Sequence, residues 1–147
     1  KTQLIIAGKI QKEWKKSSIV RRIELVQSTM NYIKSNVDTI AKDITLQMGK
    51  PISQSKNEVK GTIHRAEICC SLAEDALKDI TLPEKEGFQR FIRREPLGVV
   101  LDIAAWNYPL LIAVNVVFWV GNRRLLTLSL CSVWGSLQNV FVNHMIC

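Results

Sequence analysis

The chain has 147 residues, 47% of them hydrophobic, and a formal charge of +7. That length suits one domain with a real core. The basic excess is spread along the chain, with small clusters at Lys9–Lys16 and Arg90–Arg94. No zinc-finger spacing or aromatic-basic recognition motif accompanies it, so it reads as solvated helix faces, not a nucleic-acid surface.

Four cysteines, Cys69, Cys70, Cys131 and Cys147, form no CxxC pair. Neither a zinc site nor any other metal centre is expected. Adjacent Cys69 and Cys70 make a poor disulfide, which points to a reducing, cytoplasmic compartment. The first residues, "KTQLIIAGKIQKEW", hold no long apolar run of a secretory signal. The chain does not begin with Met, so a fragment or a processed form is expected.

In chain order, the first helical pattern is Ile19, Ile23, Val26, Met30, Ile33 and Val37. Steps of four and three residues place all six on one helix face. Ser17 or Ser18 is its expected N-cap. A second helix is expected over 38–48, capped by Asp38, with Ile40, Ile44 and Met48 on its apolar side. Gly49 then permits a left-handed residue, and Pro51 blocks continuation.

A third helix is expected to open at "SKNE", where Ser55 and Glu58 have capping-box spacing. Val59, Ile63, Ala66, Cys70, Ala73 and Leu77 continue it. His64 lies beside that stripe and reads as a solvated or hydrogen-bonded imidazole. "PEKEG" reads as a loop, and "FQRFIRREP" as an exposed strand or a hairpin arm.

Composition changes at Pro96. Beyond it, setting His144 aside, the charged residues are Asp102, Arg123 and Arg124. "PLGVVLDIA" contains a short β-branched run, as in a strand buried on both faces, over 97–104. Pro109 forces Tyr108 out of the helical region and ends that strand in a turn over 105–109. A helix is expected from Leu110. The apolar run over 110–120 is too short for a membrane span of about 20 residues. Helices followed by a buried strand and another helix point to an α/β fold, with a helical N-terminal layer docked on it.

Three stretches together resemble the N-terminal portion of an aldehyde dehydrogenase: "KEWKKSSIVRRIEL", "DITLQMGKPISQSKNEV" and "REPLGVVLDIAAWNYPLLIAVNVV". The family's early Trp and Arg correspond to Trp14 and Arg22. Its "GKP" corresponds to Gly49-Lys50-Pro51, followed by Ser55 and Glu58-Val59. Its "PLGVV" corresponds to residues 96–100, and its "WNYP" to residues 106–109, with Ala105 in place of the usual Pro. The resemblance covers roughly residues 7 to 117.

The resemblance implies the incomplete start of a Rossmann-like dinucleotide-binding domain, with residues 1–117 in the family domain and 118–147 a divergent apolar tail. It implies oxidation of a small-molecule aldehyde through a cysteine adduct, with hydride passed to NAD or NADP. Asn107 matches the residue that donates its side-chain amide to the developing oxyanion. Ile103, Ala105 and Trp106 match positions along the nicotinamide end of the cofactor. Arg22 and Glu58 match recurrent positions that look structural.

The match then breaks. Thr127 stands where the family has a Lys that reaches the adenosine ribose. The family's catalytic Cys, general-base Glu and oligomerisation segment would fall beyond residue 147. The resemblance therefore implies an inactive fragment of a homo-oligomeric parent. Two readings from other classes remain: a non-enzymatic interaction module, whose exposed apolar surface would drive association, and a basic surface-binding protein.

Overall fold

The computed structural model describes residues 2–95, 98–122 and 126–131. The elements in chain order are α1 (Thr2–Trp14), α2 (Ile19–Ser35), α3 (Val37–Met48), α4 (Ile52–Leu77), β1 (Ile80–Thr81), β2 (Phe91–Ile92), β3 (Val99–Ala104), α5 (Pro109–Asn122) and β4 (Leu126–Cys131). Helices α2, α3 and α4 form one layer. The parallel β3–β4 pair, with α5 crossing between its strands, is the α/β unit.

Ser18 caps α2, its hydroxyl accepting the Arg21 amide at 3.1 Å. Val26, Met30 and Ile33 of the expected stripe are buried. Val37 belongs instead to α3, because Asn36 separates the two helices. Asp38 does not cap α3. It lies in the first turn, where a carboxylate complements the helix dipole, and pairs with Lys56 of α4 at 2.7 Å.

Gly49 ends α3 as expected, at φ +70°, with its amide on the Thr45 carbonyl at 2.8 Å. Pro51 is the first flank of α4, which begins at Ile52. The capping-box reading of "SKNE" is therefore wrong. Ser55 is already inside the helix and buried, sharing a 2.9 Å hydrogen bond with the Thr45 hydroxyl of α3. A Ser and a Glu three residues apart also share a helix face, and here that face is turned inward.

The helical core joins Val26, Met30, Ile33, Ile40, Ala41, Ile44, Val59, Ile63, Ala66 and Cys69. Leu110 and Val114 of α5 enter the same cluster. Burying each contributes roughly 1.5–3 kcal/mol, and they fuse the helical layer to the α/β unit. Cys69, not Cys70, takes the core position; Cys70 is half-buried beside it. Burial raises the Cys69 thiol, with nearby Arg65 opposing. Burial, then Cys69 and Glu67, push the Cys70 thiol up to about 11. His64 is exposed, as expected.

Residues 2–14 form a helix that periodicity does not reveal. Leu4, Ile5 and Ile6 are contiguous and Gly8 is interior, which obscures the short stripe of Ala7, Ile10 and Trp14. This helix lies against the β3–β4 pair. Strands β1 and β2 form an antiparallel hairpin. Arg94 donates to the Ala76 carbonyl at 2.6 Å, tying the hairpin to the end of α4.

In β3, Val99 and Val100 are half-buried and Ala104 is buried. Its parallel register sets Val100 opposite Thr127 and Ala104 opposite Cys131. Helix α5 runs through position 117, where the family pattern fades in the sequence, and β4 follows it. Cys147 and His144 lie outside the described residues. Among the described residues, no helix is long and apolar enough to cross a membrane.

Ile44 is fully buried, whereas Leu46 on the same helix is 73% exposed. Ile44→Ala is expected to cost about 2–5 kcal/mol in urea unfolding, and Leu46→Ala less than about 0.5 kcal/mol. Cys70 is expected to react with iodoacetamide at pH 8 roughly a hundredfold more slowly than an ordinary thiol. Its labelling should climb towards a midpoint near pH 11. Peptide-resolved mass spectrometry would read this, and a midpoint near 8.5 would contradict the burial account.

Candidate functional site

The site begins where β3 ends. Ala104 is the last strand residue, and Ala105 to Tyr108 form the turn into α5. Pro109 is the first helical residue, one position before the sequence expectation. Proline suits that place, because its fixed φ is helical and its missing N–H would have no intrahelical partner.

The remaining amides at this helix start are accounted for. Ile112 donates to the Tyr108 carbonyl at 2.9 Å. Leu110 and Leu111 donate to Oε1 of Glu58, at 3.0 and 3.4 Å. Helix α5 carries no acidic residue in its own first turn. Its cap comes from α4 instead, and a carboxylate there also meets the positive end of the helix dipole.

The Glu58 side chain is 0% exposed and is neutralised by Lys50. The ammonium of Lys50, whose side chain is 12% exposed, contacts Oε2 of Glu58. It also donates to the Asn107 carbonyl at 3.2 Å and lies 4.1 Å from the centre of the Tyr108 ring. A cation over an aromatic face is attracted by the ring quadrupole. The "GKP", "SKNEV" and "WNYP" stretches thus meet around one ion pair.

Ala105, Trp106, Asn107 and Tyr108 are all exposed, Trp106 at 64%. Among the described residues, no group takes up the Asn107 carboxamide. Its own backbone therefore does not occupy it as in an Asx turn. The turn thus presents an amide donor on a mount fixed from behind by Lys50 and in front by the capped helix. Ile103 lies in β3, one residue before its end; its side chain lies outside the described residues. Two turns further along the same face of α4, Arg65 donates to Asn115 of α5 at 3.0 Å, a second polar tie between the two helices.

Of the expected site residues, Ile103, Ala105, Trp106 and Asn107 come together at the carboxyl end of β3. Lys50 was not singled out by the sequence reading, and Glu58 was read only as structural. The available signal was a helix start without a cap of its own, together with the Lys within "GKP" and a Glu eight residues after it. Arg22 is buried and donates to the Ser18 carbonyl at 3.2 Å, away from this cluster. No group of His, Cys, Asp and Glu among the described residues could hold a metal ion.

A helical layer fused to a parallel strand–helix–strand unit, with an exposed amide at the strand's carboxyl end, defines the start of a Rossmann-like domain. The aldehyde dehydrogenase family matches residues 3–123, and the chain belongs to that family. It is 31% identical over 140 residues to a putative aldehyde dehydrogenase-like protein of Saccharomyces cerevisiae, covering 88% of this chain and 22% of that protein. Succinic semialdehyde dehydrogenase from Streptococcus pyogenes, solved in complex with NADP+, superimposes with a TM-score of 0.86 at 20% identity, covering 96% of this chain and 32% of that one. NADP-dependent glyceraldehyde-3-phosphate dehydrogenase from Bacillus halodurans, complexed with NADP, gives 0.82 at 26% identity, covering 93% and 30%. The chain spans about a fifth to a quarter of the length of the curated relatives it matches, and is an N-terminal portion of the family fold.

Removing one partner of a buried ion pair leaves an uncompensated charge. Glu58→Ala, which also uncaps α5, is therefore expected to lose roughly 3–5 kcal/mol in urea unfolding. Glu58→Gln keeps an acceptor for Leu110 and Leu111 and should lose less. Equal losses in the two variants would show that the cap contributes nothing beyond charge.

Proposed function

We propose that this chain is the N-terminal part of a NAD- or NADP-dependent aldehyde dehydrogenase, and that Asn107 is its oxyanion donor. The observation that carries the reading is the exposed Asn107 carboxamide, held on a rigid turn at the carboxyl end of a parallel strand. A neutral amide N–H stabilises an aldehyde oxygen as it becomes negative, without giving up a proton. A pre-fixed donor also avoids reorganisation during the reaction. An Asp there would repel the same oxygen.

The residues around the turn fit a dinucleotide. Open α/β sheets take such ligands outside the carboxyl ends of their strands. Ile103, Ala105 and Trp106 occupy that end of β3, and Ala105 and Trp106 are exposed there. These three would hold the nicotinamide end, with the small Ala105 leaving the backbone approachable. When bound, the dinucleotide supplies the hydride acceptor. Thr127 matches the family's lysine position, and a neutral hydroxyl cannot replace that long cation.

The substrate class is a small-molecule aldehyde. A cytoplasmic location suits the free thiols Cys69 and Cys70, and the parent enzyme is a homo-oligomer. The chain alone does not oxidise aldehydes, because the nucleophilic Cys and the general-base Glu come from the remainder of the enzyme.

In the complete enzyme, Asn107→Ala is expected to lower kcat by roughly 10²–10³-fold with cofactor affinity nearly unchanged. Steady-state kinetics would check this, and an unaltered kcat would remove Asn107 from the oxyanion role. The 147-residue chain is expected to give no aldehyde-dependent reduction of NAD or NADP; turnover by that chain would overturn the assignment of the nucleophile elsewhere.

A further inference from the structure

We infer that Lys50 is a positioning residue for the oxyanion donor: its ammonium holds the Asn107 carbonyl and the Tyr108 ring in place while anchored on the buried carboxylate of Glu58. This rests on the reading of Asn107 proposed above and adds a residue 57 positions away in sequence.

The geometry uses the full capacity of the ammonium. Lys50 has three N–H donors and no acceptor. One contact goes to Glu58 Oε2, one to the Asn107 carbonyl at 3.2 Å, and the third is the Tyr108 ring face at 4.1 Å. The contacts fall on two successive residues of the turn and on the carboxylate that caps the helix after it. A carbonyl held at Asn107 fixes that residue's peptide plane. The capped start of α5 fixes the chain three residues later, at Leu110. Between those two restraints, the Asn107 backbone has little freedom left, which fixes the point and the Cα–Cβ direction from which its amide projects.

A general packing role does not explain this arrangement. An apolar side chain of equal length would fill the same space, but would neither bind the Asn107 carbonyl nor neutralise Glu58. Gly49 sets the approach: its left-handed conformation ends α3 and turns the chain, so that Lys50 leaves towards α4 and the 105–108 turn.

The test is nuclear magnetic resonance of the Asn107 side-chain amide in the 147-residue chain. Lys50→Met alone strands the Glu58 charge and endangers folding, so Lys50→Met is paired with Glu58→Gln, which leaves no orphan buried charge. The paired variant should keep the core amides of Ile63 and Ala66 in place and shift the Asn107 side-chain amide pair. Lys50→Arg, which keeps a cation and donors with Glu58 intact, should restore the pair's position. Asn107 amide resonances unmoved in the paired variant would overturn the proposal, as would failure of Lys50→Arg to restore them. These outcomes are independent of kinetics. Unmoved resonances remove the clamp and leave the oxyanion role standing, whereas an unaltered kcat in Asn107→Ala removes the oxyanion role and with it the catalytic meaning of the clamp.

Discussion

The buried carboxylate of Glu58 is the constraint on which the arrangement of the two halves depends. A charge with no solvent contact is tolerated only when paired and hydrogen-bonded. Glu58 meets both conditions by recruiting Lys50 on one oxygen and the amides of Leu110 and Leu111 on the other. These partners come from the exit of α3 and the start of α5, so one side chain fixes three helices relative to one another. Burial of Leu110 and Val114 in the helical core supplies the non-directional part of the same junction. The apolar contacts hold the helices together, and the polar cluster selects one register.

That junction positions the functional turn. Strand β3 delivers the chain to Ala105, and α5 takes it away from Pro109. Both ends are tied: β3 by its parallel pairing to β4, and α5 by the Glu58 cap. The four intervening residues are exposed, which on the function proposed above leaves them open to a ligand. The exposed ion pairs elsewhere, Lys34–Glu67 at 2.6 Å and Lys56–Asp38 at 2.7 Å, join α2 and α3 to α4. Each contributes little in water. They lower the Glu67 and Asp38 carboxyls through hydrogen bonds and charge from their lysines. Because the folded values lie below the unfolded ones, that small stabilisation is present above the ordinary carboxylate range and fades as pH falls through the folded values.

The parts of the fold legible in sequence are those governed by local periodicity. The stripes of α2 and α4 repeat every three to four residues, and Gly49-Pro51 punctuates α3 through steric rules that act within a few bonds. Helix α1 was illegible because its apolar residues run together and its neighbours in space, β3 and β4, lie about a hundred residues away. The S-x-x-E spacing misled because it serves two purposes: it can close a helix start, or place two polar groups on one buried face. Cys69 and Cys70 show a similar ambiguity. A stripe resolves a face to within about one residue, and packing selected Cys69 for the core. For the candidate site, the family's motif order singles out Asn107 and its neighbours. The Lys50–Glu58–Asn107 cluster was not legible, because the Lys50–Asn107 contact joins residues 57 positions apart and leaves no periodic trace.

The most direct measurement of the central claim is native-state hydrogen exchange at the Leu110 and Leu111 amides, compared with core amides of α4 such as Ala66. If Glu58 caps α5 from across the helical layer, those two first-turn amides exchange as slowly as the α4 core, although helix starts ordinarily fray. Exchange at the rate of an exposed loop, with α4 protected, would show that the carboxylate does not hold the start of α5 and would contradict the account.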